Sequence, residues 1–276
     1  MRDDNKLTLK QIEELEYKYL VKYWYFLKYV EDDIISGFDS KDDIADDWKG
    51  LYGSEDGGIS DFAVGSERII YALLNGKIAG QPNSAPVSSD LFFEVEDAYI
   101  HIDLKSVTTT DGLKKHPVTG EKLTDNIGDF ATNIFIGRNQ NSYKGNMVVN
   151  KGRDNEEIRS YTPQLPVVYN KRNGDKKITL TYFVTILTNS VTSKTELISI
   201  MCMPNGKLEE HYKDRPLKAG KNPDKTRFNF KECMSFELLD KHPKRVRVIY
   251  RNPDMSEHTK KRLEFYLKNL VPYVSE

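Results

Sequence analysis

The chain has 276 residues and a mass of 31.8 kDa, which suits one large domain or two small ones. Charged residues make up 30% and hydrophobic residues 38% of it, a composition typical of a folded, water-soluble protein. Apolar runs are too short to span a bilayer, and the first residues lack the pattern of a secretory signal. The two cysteines, Cys202 and Cys233, give neither a disulfide framework nor zinc-ligand spacing. We therefore expect a soluble cytoplasmic protein with no membrane segment.

Charge is distributed unevenly along the chain. Residues 1–100 hold 10 Lys and Arg against 21 Asp and Glu, whereas residues 101–276 hold 31 against 21. The basic C-terminal part could bind a polyanion, although solvated surface charge explains the same counts equally well.

The first predicted element is a long helix near the N-terminus. Thr8 is a candidate N-cap, and Gln11 completes a capping box three residues later. Apolar residues recur at three- or four-residue spacing up to about Val30, and we expect this helix to pack in a core or against a second subunit. Acidic, glycine-rich sequence from Glu31 to Ser60 predicts an irregular connection, and a short helix is expected between Gly65 and Leu74.

Later segments rich in β-branched and aromatic residues predict strands at Asn146–Asn150, Pro166–Asn170, Ile178–Thr188, Glu196–Met203 and Val246–Tyr250. Residues 189–194 would join two of these strands as a hairpin, and a last helix is expected at about Ser256–Leu270. This order predicts an α/β or mixed α+β fold, with a central mixed β-sheet flanked by helices. We interpret residues 1–276 as a single domain with an N-terminal helical region (1–60), a core (61–203) and a basic C-terminal region (204–276).

Residues 88–105 are the most informative segment of the chain. Two apolar-rich runs flank Glu96-Asp97, which predicts a hairpin that turns at those two residues. In a symmetric hairpin the numbers of paired residues sum to 193, so Asp90 faces Asp103. One face is then entirely apolar and fit for a core, while Asp90, Asp103 and Lys105 share the opposite face at the open end.

These three charged residues have a chemical rationale. Two neighbouring carboxylates repel each other unless a cation or a proton intervenes, and oxygen ligands of this kind suit Mg²⁺. A phosphodiester hydrolase needs a metal that polarises phosphorus and a cation that stabilises the charge developing in the transition state. The alternative is a surface hairpin with an incidental Asp-Lys contact, because the pattern D-x-K by itself is common.

The segment resembles the motif of the PD-(D/E)xK nuclease superfamily, and within it the type II restriction endonucleases. The acidic residue is Asp90, and twelve residues separate it from Asp103-Leu104-Lys105. The resemblance implies that Asp90, Asp103 and the Leu104 carbonyl bind a divalent metal and that Lys105 positions or activates the attacking water. It further implies a catalytic role for Glu67 on the preceding helix, although a plain helix-start charge explains Glu67 nearly as well. The chain departs from the motif at Ser89, where members usually have proline.

Three further features are weaker candidates. His101 lies on the face of Asp90, where a packed or solvent-facing histidine is a more common explanation than a catalytic one. The polar run 136–143 contains Arg138, Asn139 and Gln140, whose side chains can read base edges, although a plain surface loop is equally compatible. Residues 241–247 alternate basic and apolar side chains, so that phosphate contact and protection of an edge strand are comparable explanations for Lys244, Arg245 and Arg247.

The resemblance therefore implies a Mg²⁺-dependent type II restriction endonuclease that acts as a homodimer and cuts both strands of duplex DNA at a short site. The sequence lacks a Walker A motif and a Rossmann fingerprint, so no nucleotide cofactor is expected. A DNA repair or junction-resolving nuclease with the same core is the alternative enzyme. A non-catalytic DNA-binding protein is the alternative outside enzymes.

Overall fold

The computed structural model describes residues 7–40, 69–74, 81–82, 90–108, 133–150, 156–170, 174, 176–189, 192, 194–206, 217–219, 225–229, 245–255, 257, 259–261 and 264. Helix α1 spans Leu9–Tyr29, and residues 31–40 and 69–74 are also helical. The strands are β1 Gln81–Pro82, β2 Leu91–Glu94, β3 Ala98–Thr108, β4 Asn133–Gly137, β5 Gly145–Asn150, β6 Glu156–Tyr161, β7 Val168–Asn170, β8 Lys176–Thr188, β9 Thr195–Met203, β10 Leu217–Ala219, β11 Lys225–Asn229 and β12 Val246–Arg251.

Across these ranges the strands form two sheets. The larger sheet has the order β1-β2-β3-β8-β9-β12, with β7 paired to β8, and the smaller one has the order β4-β11-β10-β5-β6. Strands β3 and β8 run parallel along their whole paired length, whereas β2–β3 and β8–β9 are antiparallel. The prediction of a mixed sheet with flanking helices is therefore confirmed.

Helix α1 begins with the predicted capping box. The Thr8 hydroxyl accepts a hydrogen bond from the Gln11 backbone N–H, and the Gln11 side chain accepts one from the Thr8 backbone N–H at 2.8 Å. The apolar side of the helix is buried in the core, with Tyr23 and Leu27 fully enclosed. Trp24 Nε1 donates to the Val248 carbonyl at 2.6 Å, which ties the helix to β12. Packing in the core, one of the two expected arrangements, is thus the observed one.

The irregular connection predicted after α1 is wrong for residues 31–40, which are helical. The apolar residues Val30, Ile34 and Phe38 follow each other at four-residue spacing and are all buried in the core. This spacing places them on one helical face, and the acidic residues between them occupy the solvent side. The remainder of the predicted connection, residues 41–60, lies outside the described residues.

The predicted strands from Asn146 onward are all present, and the turn between β8 and β9 is closed by Asn189 N donating to the Lys194 carbonyl at 2.8 Å. Residues 69–74 of the predicted short helix are helical, as are the described residues of the predicted last helix. The sequence does not predict strands β1, β4, β6, β10 and β11, because short or strongly polar segments lack the alternating pattern. No helix in the described ranges is long and apolar enough to cross a membrane.

The core lies on one face of the larger sheet. Alternate residues of β3, β8 and β9 point to this face, where Ile100, Tyr182 and Ile200 are buried against α1. The Tyr182 hydroxyl donates to the Glu16 carbonyl at 2.9 Å and so fixes the helix over the sheet. The opposite face of β3 carries Asp103 and Lys105, because adjacent residues of a strand alternate between faces.

Candidate active site

The β2–β3 hairpin has the predicted register. Leu91 pairs with Ile102 and Phe93 with Ile100, and every observed pair sums to 193. Val95 N donates to the Ala98 carbonyl at 3.0 Å and closes the turn. The predicted apolar face is buried in the core or packed against it. The open end of the hairpin, where Asp90 precedes β2, is therefore held in a fixed relation to β3.

Asp90 is exposed, and its carboxylate is fixed by the backbone of the neighbouring strand. Its Oδ2 accepts a hydrogen bond from Leu104 N–H at 2.7 Å. Leu104 lies between Asp103 and Lys105, so this bond brings the Asp90 carboxylate next to those two residues. The predicted convergence of these residues is observed.

Asp103 is almost completely buried, with 1% of its surface exposed, and it has polar partners on both oxygens. Its Oδ2 contacts the ammonium of Lys105, a residue that keeps 23% of its side chain exposed. Its Oδ1 accepts a hydrogen bond from Gln140 Nε2 at 3.0 Å. The Lys105 ammonium lies 5.7 Å from the centre of the Phe183 ring, so a β8 side chain forms part of its surroundings.

The surroundings of Asp103 favour its neutral form. Burial and, to a smaller extent, the neighbouring Asp90 raise the pKa of Asp103, Lys105 opposes both effects, and the net result is a pKa of about 7. When both are ionised, Asp90 and Asp103 carry two negative charges, and Lys105 beside them supplies one positive charge. A divalent cation would relieve this imbalance.

The donor set fits Mg²⁺. Among the described residues, no group of three or more His, Cys, Asp or Glu side chains comes together that could hold a metal ion. Mg²⁺ in nucleic-acid enzymes commonly uses one or two carboxylates and completes its shell with waters and phosphate oxygens. Asp90, Asp103 and the Leu104 carbonyl are the groups that could supply the protein ligands.

The polar run at residues 136–143 lies beside this site. Arg138 is exposed, and its Nε donates to the Thr162 carbonyl at 2.9 Å. Asn139 is partly exposed at the same turn. Gln140 instead points inward to Asp103, a contact that sequence reasoning missed because the two residues are 37 positions apart.

The basic segment that ends in β12 does not present the predicted cationic face. Arg245 is fully buried, and its Nη2 lies 2.6 Å from Glu16 Oε2. Arg247 is 3% exposed, and its guanidinium lies 5.8 Å from the centre of the Trp24 ring. The expectation that these two arginines contact phosphate is wrong for the chain as folded, because both face α1. The two other candidates, Lys244 and Glu67, lie outside the described residues.

His101 belongs to an aromatic cluster. Its ring centre is 4.4 Å from that of Phe92 and 6.1 Å from that of Tyr169. Burial lowers the pKa of His101 to about 3, so the imidazole is neutral at physiological pH. A packed histidine, the more common of the two explanations, is what the structure shows.

Two family models match the chain over most of its length. The N-terminal domain of the type II restriction enzyme MwoI matches residues 8–192, and the central domain of the same enzyme matches residues 195–251. None of the curated proteins matches the chain. The fold, the hairpin and the sequence match define a type II site-specific deoxyribonuclease. The chain belongs to the MwoI family of type II restriction enzymes, which sets aside a repair nuclease and a non-catalytic protein.

Two solved structures share the fold. The restriction endonuclease BglI bound to its DNA recognition sequence is 14% identical, with a TM-score of 0.60 over 88% of this chain and 92% of that one. The tetrameric restriction endonuclease SfiI bound to cognate DNA is 13% identical, with a TM-score of 0.62 over 92% of this chain and 90% of that one. At these identities the likeness concerns the fold alone, and it agrees with the predicted mixed β-sheet flanked by helices and with the restriction-endonuclease-like core that the resemblance implies.

Proposed function

We propose that this restriction enzyme hydrolyses both strands of duplex DNA in the cytoplasm with Asp90, Asp103 and Lys105 as its active site and Mg²⁺ as its cofactor. The observation that carries the proposal is the contact between the buried Asp103 carboxylate and the Lys105 ammonium, beside the fixed Asp90 carboxylate. A surface hairpin would leave these groups solvated, and it would not raise the pKa of Asp103 to about 7.

Each residue has a distinct role in this proposal. Asp90, Asp103 and the Leu104 carbonyl hold the cation, which when bound polarises the scissile phosphate and lowers the pKa of a water. Lys105 is partly exposed, so its ammonium can donate hydrogen bonds to a phosphate oxygen and to the attacking water. It thereby stabilises the negative charge that develops on the phosphate during the reaction.

DNA is proposed to lie against the turn that follows β4. Arg138 is exposed on that turn and Asn139 is partly exposed, and Gln140 of the same turn contacts Asp103. A nucleic acid that reaches the active site therefore passes close to a cation and an amide suited to phosphate and base contacts. BglI and SfiI, which share the fold, are restriction enzymes bound to DNA in their structures.

One active site per subunit would cut one strand each, so we propose a homodimer. Tyr25 is 61% exposed and Tyr29 87% exposed on the outer side of α1, where a second subunit would bury their rings. Sedimentation at micromolar concentration should then give about twice the 31.8 kDa of one chain. A clean monomer that still makes double-strand cuts would contradict the dimer.

A digest tests the proposed chemistry. The purified protein should cut plasmid and phage DNA into discrete fragments in the presence of Mg²⁺, and EDTA should stop the reaction. Lys105→Ala should cut far more slowly, whereas Lys18→Ala, which removes an exposed ammonium of α1 that pairs with Asp97 at the hairpin turn, should give the wild-type fragments at the wild-type rate. Discrete cutting that continues in EDTA would refute the metal requirement. Unimpaired cutting by Lys105→Ala would refute the site.

A further inference from the structure

The side-chain amide of Gln140 bridges the β4–β5 turn and the active site. Its Oε1 accepts a hydrogen bond from Gly137 N–H at 2.6 Å, and its Nε2 donates to Asp103 Oδ1 at 3.0 Å. A backbone N–H only donates and a carboxylate only accepts, so both bonds require the same orientation of the amide. Rotating the amide by 180° would point its NH₂ group at the Gly137 N–H and its oxygen at the Asp103 carboxylate. Donor would then face donor, and acceptor would face acceptor.

The turn that carries Gln140 is fixed by several other bonds. Asn141 Nδ2 donates to the Gly137 carbonyl and to the Tyr161 hydroxyl, each at 3.0 Å. Asn141 Oδ1 accepts from Tyr143 N–H at 2.9 Å, and the side chains of Asn141, Tyr143 and Tyr161 are all buried. The amide of Gln140 is thus presented by a rigid support instead of a mobile loop.

Gly137 leaves room for this arrangement. A Cβ atom at that position would lie 2.8 Å from Asn139 Oδ1 and 3.1 Å from Gln140 Oε1. The first separation is shorter than real Cβ atoms show, so a larger residue would move the Asn139 side chain. The second is a tight contact, so the Gln140 amide would have to shift by a few tenths of an ångström. Glycine therefore suits the close approach of both amides to the backbone.

We propose that Gln140 is a positioning residue that sets the plane of the Asp103 carboxylate for metal binding. The terminal torsion of an aspartate is broad and roughly two-fold, so a buried carboxylate needs an external bond to select its plane. Gln140 supplies that bond at Oδ1, and Lys105 contacts Oδ2 from the other side. Outer-shell hydrogen bonds of this kind orient metal ligands and raise metal affinity. This inference rests on the proposed Mg²⁺-dependent function.

The same bonds argue against a base-reading role for Gln140. Glutamine recognises adenine through both its oxygen and its NH₂ group at once. Here the oxygen already accepts from Gly137 and the nitrogen already donates to Asp103. Base contacts from this turn are therefore left to its exposed neighbours.

Gln140→Met tests the proposal, because methionine has a similar length and no hydrogen-bonding amide. Gln164→Met is the matched control, since the Gln164 side chain is exposed and only its backbone N–H contacts the turn, at the Arg138 carbonyl. The readout is calorimetric titration with Mn²⁺ alone, together with cleavage as a function of Mg²⁺ concentration. We expect Gln140→Met to bind Mn²⁺ about 10- to 100-fold more weakly. We expect its cleavage to recover at high Mg²⁺, and the control to behave as wild type.

A second variant reaches the same amide indirectly. Gly137→Ala keeps the glutamine but crowds its amide oxygen, so its Mn²⁺ affinity should fall in the same direction by a smaller factor. Circular dichroism checks that Gly137→Ala folds. If this variant does not fold, the result for Gln140→Met alone decides the proposal.

Two results would overturn the proposal. Wild-type Mn²⁺ affinity and Mg²⁺ response in Gln140→Met would show that the carboxylate needs no positioning by the amide. Loss of metal-free binding to the cleaved site, with metal affinity intact, would show that Gln140 reads DNA. Failure of the underlying function is a separate outcome, because the wild-type protein would then neither bind Mn²⁺ nor require a divalent metal for cleavage.

Discussion

Replacing Asp103 with asparagine should change how the stability of the metal-free protein depends on pH. Burial raises the pKa of this carboxyl from 3.8 to about 7 in the folded chain. The difference is about three pH units, or roughly 4 kcal/mol at about 1.4 kcal/mol per unit. Because the folded state holds the proton more tightly than the unfolded state, this stabilisation is complete below pH 4. It is lost as the pH rises through about 7.

Most of that change falls between pH 5 and pH 8. Over this range, the ionisation of Asp103 should lower the free energy of unfolding by about 2.5 kcal/mol. Urea unfolding in EDTA measures it as the difference between wild type and Asp103→Asn at the two pH values. The matched control is Asp97→Asn at the hairpin turn. Burial opposes ionisation of Asp97, but its hydrogen bonds with Lys18 and Tyr19 prevail and lower its pKa, so its contribution changes only in more acidic solution.

A divalent cation provides the second half of this test. At pH 8, Mg²⁺ that binds only the folded state should raise the stability of wild type, by an amount that grows with its concentration. Asp103→Asn should show little of this gain, since it lacks the buried charge. Equal pH dependence in wild type and Asp103→Asn would refute the assignment of the raised pKa, and with it the charge imbalance that we invoke for metal binding.

The remaining predictions concern catalysis and folding. Lys105→Ala should lower the cleavage rate about 10²- to 10³-fold while binding to the cleaved site persists in a gel-shift assay, because only charge stabilisation is removed. Asp90→Ala should abolish cleavage, whereas Asp97→Ala should retain it in the same digest despite an equal change of charge. Arg245→Ala should cost about 3–5 kcal/mol in urea unfolding, because it leaves the Glu16 carboxylate buried without its cation. An unfolding midpoint close to that of wild type would contradict the last expectation.

The hairpin could be predicted from the sequence because every constraint on it is local. An alternation of period two fixes which side chains share a face, and a two-residue turn fixes the register. A shift of one residue would have moved Phe93 and Ile100 out of the core, so the pattern admits a single pairing. The positions of Asp90 and Asp103 follow from that register without any tertiary information.

Gln140 and Arg245 could not be placed in this way. The contact of Gln140 with Asp103 spans 37 residues and depends on an irregular turn, for which short motifs encode no geometry. Arg245 pairs with Glu16 across 229 residues, and its local pattern is the same as that of an exposed basic strand. One signal was available, since Glu13 and Glu16 interrupt the apolar side of α1 and are both buried. Buried carboxylates on a helix imply a cation on the element packed against them.

Glu16 and Asp103, two almost fully enclosed carboxylates, illustrate how a structural charge differs from a functional one. Glu16 receives the Arg245 guanidinium at 2.6 Å and Asn205 N–H at 2.7 Å, so both of its oxygens have strong donors within the fold. Asp103 is equally buried, but a carboxylate lies beside it and its one cation is a partly exposed lysine that can turn to a phosphate. Replacing such a buried charge with an apolar residue would often make a fold more stable. Its retention is explained if the missing positive charge comes from a metal, which would make this incompletely compensated carboxylate part of the catalytic site.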